Sequence, residues 1–302
     1  MDFTEVTAGP QDAGRRLDRV MRRYLNEEHL SQIYSALRKG FIKCNGKKAK
    51  PEDRIAEGSV LHIAQFLLAE RVQTTQHITT IALSTVFQNT AVRIIEKPYG
   101  IAVHTTNKTE CDIARIVRAE YAAEQEHESL SFTPAPLHRL DKRTSGLLMC
   151  SHSLVGAQWI STALQQHLIE KKYLAIIQGH LLQEEHWHNT MSAKQYSAGF
   201  YTMQTGSHGK HAYTHAIPLA YGTYGNTAIT LACMNIATGR THQIRAQAAA
   251  HGYPLLGDTA YGGKKLYECS RTHYLHAYHL QFPVGNPLAI PTQIGRASCR
   301  ER

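Results

Sequence analysis

Residues 138–148 have the sequence His-Arg-Leu-Asp-Lys-Arg-Thr-Ser-Gly-Leu-Leu, a dense polar stretch that runs directly into an apolar one. A single carboxylate, Asp141, lies there among basic side chains and ahead of a Thr-Ser-Gly turn. Basic neighbours favour the ionised form of a carboxylate, which is the form that acts as a nucleophile. On local composition alone, a surface turn in which Asp141 pairs with Lys142 or Arg143 is the simpler interpretation.

Other segments place this stretch in a longer pattern. They are EKPYGIAVH at 96–104, KKYLAIIQG at 171–179, TGRTHQIRAQAAAHGYPLLGDTAYGG at 238–263 and LHAYHLQFP at 275–283. Together with HRLDKRTSGLL, and in this order, they resemble the RluA-type (large ribosomal subunit) pseudouridine synthase family. The resemblance implies an α+β catalytic domain, with a mixed and largely antiparallel sheet flanked by helices and loops. It also implies isomerisation of uridine to pseudouridine in structured RNA.

The resemblance assigns roles to individual residues. Asp141 corresponds to the catalytic carboxylate that attacks the target uridine, and Arg245 corresponds to the arginine that pairs with it. Tyr173 corresponds to an active-site tyrosine that stacks on the uracil and acts as a base at carbon-5. Arg139 corresponds to a residue implicated in displacing the flipped nucleotide, and we expect His138 and Thr144 to contact the RNA or substrate as well.

Without the resemblance, two of these residues have ordinary interpretations. Arg245 is then an exposed helical arginine, and Tyr173 is a core residue at the start of a strand. A cation near the start of a helix is unfavourable to the helix dipole, so a nearby carboxylate would offset the cost at Arg245. The loop around Gly257, Asp258 and 261–263 is interpreted as structural support for the pocket wall.

The positive charge is concentrated near the N-terminus. The chain carries a net charge of +9, and residues 15–50 contain eleven basic and three acidic side chains. A local excess of this kind is typical of a protein that binds a polyanion, although it also fits a merely soluble basic face.

Residues 1–64 are predicted to form a small separate domain. Apolar residues recur at helical spacing from Leu17 to Leu25, and a second helix is predicted to end at Gly40. A strand with an Asn45-Gly46 turn and a last strand at 60–63 follow. This order resembles the alpha-L RNA-binding module of the ribosomal S-four type. The resemblance implies RNA phosphate contacts from the basic residues of the second helix and hairpin, Arg38, Lys39, Lys43, Lys47 and Lys48.

The remainder divides into three predicted parts: a polar linker at 65–84, the catalytic domain at 85–293 and a tail at 294–302. Strands and helices in the catalytic domain interleave without regular βαβ periodicity, which favours an α+β fold. The segment between His104 and His138 fits the family pattern poorly, so we expect it to form a loop that touches the particular RNA.

The tail IGRASCRER can be encoded by the nucleotide string of a common sequencing-library adapter. We therefore expect 294–302 to be non-native read-through. Resequencing the locus from independent genomic DNA checks this expectation, and recovery of the same codons would contradict it.

Composition argues against other classes. The cysteines are scattered, the run His186-Trp187-His188 matches no metal-ligand spacing, and no apolar stretch approaches the roughly 20 residues that span a bilayer. We expect no metal, no cofactor and no membrane, and a monomer in the cytoplasm whose partner is ribosomal RNA or a pre-ribosomal particle. The alternatives are a ribosome assembly factor with an inert or secondary catalytic domain, or a tRNA-directed synthase; a metal-dependent nuclease lacks the clustered carboxylates it requires.

Overall fold

The computed structural model describes residues 1–25, 29–68, 81–107, 110–124, 129–197, 200–265 and 273–295. The chain divides into two compact units. The N-terminal unit contains residues 1–81 and 114–135, and the catalytic unit contains residues 82–113 and 136–302. The insertion of 114–135 into the N-terminal unit was not predicted from the sequence.

The N-terminal unit contains a four-stranded antiparallel sheet in the order β1-β4-β2-β3. Its elements are β1 (Phe3–Thr7), α1 (Leu17–Tyr24), α2 (Leu30–Lys39), β2 (Ile42–Cys44), β3 (Lys47–Lys48), β4 (Val60–Ala64) and most of α3 (Ile113–Glu124). The predicted helix pair and hairpin are present, whereas β1 was missed.

Local sequence accounts for the first part of this unit. Leu17, Val20 and Met21 are buried along one face of α1, so the basic residues of that helix lie on the other. Gly40 ends α2 with a φ of 76°, a left-handed conformation that glycine adopts without steric cost.

Asp12 joins two distant parts of the N-terminal unit. Its side chain is fully buried and accepts hydrogen bonds from the Ser129 hydroxyl at 2.8 Å, the Leu130 amide at 2.7 Å and the Ser131 amide at 3.1 Å. A buried carboxylate is stable only when such donors surround it. Part of the segment that fits the family pattern poorly therefore packs within this unit.

The catalytic unit is built on a ten-stranded mixed sheet in the order β10-β9-β11-β12-β8-β13-β7-β6-β5, with β14 paired to β13. Its strands are β5 (Ser84–Gln88), β6 (Val92–Lys97), β7 (Ser145–Ser151), β8 (Glu170–Gln178), β9 (Glu185–Ser197), β10 (Phe200–Gly206), β11 (Lys210–Tyr224), β12 (Thr227–Ile236), β13 (Leu275–Gln281) and β14 (Gln293–Gly295). Its helices are α4 (Leu154–Gln165) and α5 (Gln243–Ala250). Among the strands described, β13 and β7 form the one parallel pair. The predicted α+β class with a largely antiparallel sheet is confirmed.

The apolar core of the catalytic unit lies between α4 and the strands β6, β7 and β13. Ile160 and Ala163 of α4 pack with Val92, Met149 and Leu280 in this core. From its apolar runs, the sequence predicts strands at 92–95, 147–150, 173–178 and 228–236, and these correspond to β6, β7, β8 and β12. It missed β9, β10 and β11, in which histidine and polar residues interrupt the apolar pattern.

Two predicted boundaries fall at or near the edge of the described residues. Residues 69–80, most of the predicted linker, lie outside them, and β5 begins at Ser84. Ile294 and Gly295, the first residues of the expected tail, belong to β14, and Ile294 is buried in the core; 296–302 lie outside the described residues. The described helices include none with the length and apolar character needed to span a membrane.

Candidate active site

The loop that carries Asp141 is held at the entrance of β7. The Thr144 amide donates to the Asp141 carbonyl at 3.0 Å, and the Gly100 amide donates to the Lys142 carbonyl at 2.9 Å. Both bonds are backbone contacts, so they position the loop regardless of which side chains flank Asp141. The simpler interpretation, a surface turn with Asp141 paired to Lys142 or Arg143, does not hold, because Asp141 contacts Arg245 and His242, and Lys142 pairs with Glu110 at 3.2 Å.

The close packing of β7 against β13 requires the glycine of the HRLDKRTSGLL motif, Gly146. It lies opposite Ala277 in the parallel β7–β13 pair and has a φ of 113°. A Cβ at this position would lie 2.2 Å from the Ala277 carbonyl oxygen, closer than real contacts allow. Only glycine therefore lets β7 approach β13 here.

Ala277 also pairs with Tyr173, which places the tyrosine near Gly146. Tyr173 pairs with Ala277 of β13 on one side and with Met234 of β12 on the other. It lies in the middle of β8 and not at the start of a strand, as the sequence had suggested. Gly146 and Tyr173 are thus cross-strand neighbours of one residue, which places the Asp141 loop beside the tyrosine.

Arg245 is supplied by α5, which packs on β9, β10 and β11. The helix is anchored by two buried glutamines that the sequence did not single out. Gln243 donates to the Tyr213 carbonyl at 2.9 Å, and Gln247 donates to the Trp187 carbonyl at 3.1 Å. These bonds satisfy the buried amides and orient the helix so that Arg245 faces the pocket.

Arg245 contacts two carboxylates. Its Nε and Nη2 donate to Asp258 Oδ2 and Oδ1 at 2.6 and 2.9 Å, and its Nη1 donates to Asp141 Oδ2 at 3.3 Å. The guanidinium also lies over the Tyr261 ring, 4.9 Å from its centroid. Burial lowers the pKa of Arg245, but the hydrogen bonds that it donates to Asp258 and the negative charges of Asp258 and Asp141 together outweigh burial, so the net pKa is raised. Asp258 was expected only to support the pocket wall; it is the main partner of the arginine.

The pocket itself contains all three residues expected to be catalytic, Asp141, Tyr173 and Arg245, together with Arg139 and Thr144. Arg139 is exposed at this pocket, whereas Thr144 is buried. The pocket is also lined by residues without a predicted role, of which Arg240, His242 and Gln243 are polar.

Tyr173 is a neutral phenol in this environment. Burial raises the pKa of Tyr173, and the Asp141 carboxylate raises it further. A phenol that resists ionisation stacks well on a flat ring but is a poor base at neutral pH. This property favours the predicted stacking role over the predicted role as a base.

His138, which was expected to contact RNA or substrate, makes a hydrogen bond within the protein. Its Nε2 accepts a hydrogen bond from the Met149 amide at 3.1 Å, so the ring is bonded to β7. Burial, with a further contribution from Lys171, lowers the pKa of His138 to about 3. The imidazole is therefore neutral at neutral pH and supplies no positive charge to an RNA.

Lys97 is a buried cation that the sequence did not identify as part of the site. It is fully buried and donates to the Pro98 carbonyl at 2.8 Å and the Lys142 carbonyl at 3.3 Å. Burial lowers the pKa of Lys97 to about 8, and the Asp141 carboxylate opposes that shift. The sequence signal that could have identified Lys97 is its place in EKPYGIAVH, one of the segments that carry the family resemblance.

The basic residues expected to bind RNA in the N-terminal unit lie largely at its surface. Arg38, Lys39, Lys47 and Lys48 are exposed, and Lys43 is half-buried with its ammonium 4.6 Å from the centroid of the Phe3 ring. The pairing of Lys43 with an aromatic face depends on β1, which the sequence did not predict.

Comparison with known proteins supports what the geometry indicates. A family model described as RNA pseudouridylate synthase matches residues 91–250, more than half of the chain. The chain belongs to this family. The match includes Asp141, Tyr173 and Arg245, and the protein is an RNA pseudouridine synthase.

Relatives of this synthase have similar lengths. It is 28% identical to the ribosomal large subunit pseudouridine synthase C of Yersinia pestis, covering 93% of this chain and 88% of that protein. It is 27% identical to the protein of the same name from Escherichia coli K12, over 86% and 80% of the two chains. The structure of human RNA pseudouridylate synthase domain containing 1 matches with a TM-score of 0.58 and 21% identity, covering 74% of this chain and 86% of that one. This likeness shows the shared fold.

The two-carboxylate arrangement of this synthase gives a testable prediction. Replacing Asp258 with Asn removes the charge that anchors a buried guanidinium, and breaking such a pair costs about 3 kcal/mol of unfolding free energy. We also expect kcat to fall by about tenfold, because Arg245 loses the contact that fixes its position beside Asp141. Urea unfolding and turnover on an RNA substrate measure the two effects.

The matched control is Glu110→Gln, the same change of acid to amide in an exposed ion pair with Lys142. We expect less than about 1 kcal/mol there. Equal effects in the two variants would contradict the anchoring role of Asp258.

Proposed function

We propose that this synthase converts specific uridines in large-subunit ribosomal RNA to pseudouridine, with Asp141 as the catalytic carboxylate. The family establishes the reaction class, and the relatives named for the large ribosomal subunit support the choice of RNA. The observation that carries the residue assignment is the contact of Asp141 with a buried arginine, in a pocket that also contains a buried tyrosine.

The reaction requires one acid and no external reagent. The glycosidic bond breaks, the uracil turns while still enclosed, and carbon-5 joins the sugar, so substrate and product contain the same atoms. Asp141 either adds to the anomeric carbon or assists elimination to a glycal. In both routes an oxygen of the carboxylate must face the sugar, and the contact with Arg245 holds it in place.

A stacked uridine must leave its helix or loop to reach Asp141. Flipping a nucleotide costs a few kcal/mol, which contacts between the protein and the RNA offset. Arg139 is exposed at the same pocket as Asp141 and Tyr173, which supports a role in occupying the space that the flipped nucleotide leaves. The neutral ring of Tyr173 then provides a flat surface for the uracil.

The N-terminal unit is proposed to bind RNA phosphates. Arg38 and Lys39 end α2, and Lys47 and Lys48 form β3, and all four side chains are exposed. Contacts of this kind position a protein on RNA without reading its sequence. This role matches the local excess of positive charge in residues 15–50.

Two alternative functions make different predictions from this proposal. An assembly factor with an inert catalytic domain would not need the contact between Asp141 and Arg245 that the pocket retains. A tRNA-directed synthase would show pseudouridine in transfer RNA instead. A cytoplasmic location is proposed together with the ribosomal RNA substrate, and the monomeric state stays a prediction.

Replacement of Asp141 with Asn should abolish pseudouridine formation while leaving RNA affinity nearly unchanged. The two side chains have the same shape, but the amide cannot act as a nucleophile. Carbodiimide-dependent primer-extension stops on ribosomal RNA measure modification, and filter binding measures affinity. Glu170→Gln, at the exposed start of β8, serves as the control and should retain full activity. Full turnover by the Asp141→Asn variant would overturn the assignment.

Replacement of Arg38, Lys39, Lys47 and Lys48 with Gln should weaken RNA binding and reduce its salt dependence. Each lost phosphate contact lowers the slope of log K against log salt by about 0.7–0.9. The control removes the same number of charges from exposed lysines of the catalytic unit, Lys194, Lys210, Lys264 and Lys265. Equal slopes for the two variants would show that net charge, and not the N-terminal unit, governs binding.

A further inference from the structure

His242 lines the pocket beside Asp141 and has no role in the proposed reaction. It precedes α5 and has a φ of 52° and a ψ of 24°, a left-handed conformation that is uncommon for a residue with a side chain. Such strain persists only where the surrounding structure imposes it, and it concentrates at functional sites. Here it accompanies a ring with Nε2 on the side of Asp141 and Nδ1 on the side of Tyr261.

The hydrogen-bond directions around Tyr261 restrict where the imidazole proton lies. The Met203 amide donates to the Tyr261 hydroxyl at 2.8 Å, so the hydroxyl oxygen is already an acceptor. The His242 Nδ1 lies 2.9 Å from the same oxygen. If Nδ1 accepts, the hydroxyl donates once and accepts once, so the Met203 amide, the Tyr261 hydroxyl and His242 Nδ1 are all satisfied. If Nδ1 donates, the hydroxyl proton has no partner in this chain of contacts.

The other side of the ring leads to the same tautomer. His242 Nε2 lies 3.9 Å from Asp141 Oδ2, and an ionised carboxylate can only accept a hydrogen bond. Burial lowers the pKa of His242, so the neutral imidazole is favoured, and the Arg245 guanidinium lowers it further while Asp141 opposes the shift. A neutral ring with its proton on Nε2 accepts the Tyr261 hydroxyl proton at Nδ1 and presents an N–H on the side of the Asp141 carboxylate.

Both contacts on the Asp141 carboxylate use the same oxygen. Arg245 Nη1 and His242 Nε2 face Oδ2, at 3.3 and 3.9 Å. Within the described part of the chain, the side-chain hydrogen bond to this carboxylate goes to Oδ2, and Oδ1 accepts none. The two nitrogen groups therefore define which oxygen is held by the protein and which one is open to the sugar.

We propose that His242 is a positioning residue, locked by Tyr261 as the Nε2–H tautomer, whose N–H orients the Asp141 carboxylate so that Oδ1 faces the substrate. The 3.9 Å separation exceeds a hydrogen bond, and catalytic contacts of this kind commonly shorten when the substrate binds. The inference rests on the proposed role of Asp141. It adds a chain of contacts from Met203 through Tyr261 and His242 to the reacting carboxylate.

The tautomer can be measured directly, without turnover. Two-bond ¹H–¹⁵N correlation spectra of histidine-labelled protein distinguish a protonated from an unprotonated ring nitrogen, and His242→Asn assigns the signal because asparagine also tolerates left-handed backbone. We expect a single Nε2–H tautomer in the wild-type protein at neutral pH. A protonated Nδ1, whether in the other tautomer or in the imidazolium, would overturn the proposal.

Tyr261→Phe tests the lock itself. This variant keeps the aromatic ring beneath Arg245 and removes only the hydroxyl, so we expect both tautomers of His242 to be populated. We expect kcat to fall by about tenfold with little change in KM, since Asp141 is less well oriented but RNA contacts are retained. The control Tyr221→Phe loses a tyrosine hydroxyl bonded to the Leu181 carbonyl, away from Asp141, and should change neither quantity.

Each outcome distinguishes this inference from the proposed function. If Tyr261→Phe changes the tautomer and leaves kcat unaltered, His242 does not position Asp141. If neither changes, Tyr261 does not lock the ring. If Asp141→Asn retains full activity, the proposed catalytic role fails, whereas the tautomer measurement still reports independently on His242 and Tyr261.

Discussion

The buried guanidinium of Arg245 is the interaction on which the active site depends. Removing a charge from water is costly, and the cost is offset only when fixed partners replace the solvent. Asp258 provides two hydrogen bonds and Asp141 provides a third. The strong pair with Asp258 fixes the arginine, so the weaker contact leaves Asp141 held in place yet available for chemistry. The two acids therefore have different structural roles: Asp258 anchors the guanidinium, and Asp141 contacts it more weakly.

The sheet is what allows these groups to meet. Asp141 precedes β7, Tyr173 lies in β8, and β13 runs between these strands with Ala277 opposite both Gly146 and Tyr173. The close approach at Gly146 tolerates no Cβ, so a change there would move the entrance of β7 and with it the loop of Asp141. The pairing of Ala277 with Gly146 and Tyr173 therefore determines where the Asp141 loop lies relative to the tyrosine.

Ionisation states in the pocket are set mainly by burial. Tyr173 and His242 are both kept neutral, while Lys97 has a pKa of about 8 close to a carboxylate that favours its charged form. The pocket therefore presents an acid, a guanidinium and neutral rings. This combination fits the proposed reaction, in which an oriented carboxylate acts on the nucleoside and a neutral ring provides a flat surface for the uracil.

Most of the chemistry could be inferred from the linear order of residues, because catalytic motifs are short and contiguous. HRLDKRTSGLL, KKYLA and THQIR drew attention to Asp141, Tyr173 and Arg245, which the structure brings into one pocket, and apolar runs indicated several of the strands. The helix pair of the N-terminal unit was recognisable for the same reason, since its amphipathic period is a local property.

Contacts between distant segments could not be inferred in this way. The anchor of Arg245 by Asp258, the role of Tyr261 beside His242, and the bond from Asp12 to 129–131 all join residues whose own neighbours in sequence carry no sign of the partner. Strands β9, β10 and β11 were equally hidden, because histidine and polar residues there are held by cross-strand pairing and by α5. The local sequence pattern indicates which secondary structure a segment prefers. Desolvation of side chains and strand register depend on which segments pack against one another, and only the tertiary structure decides that.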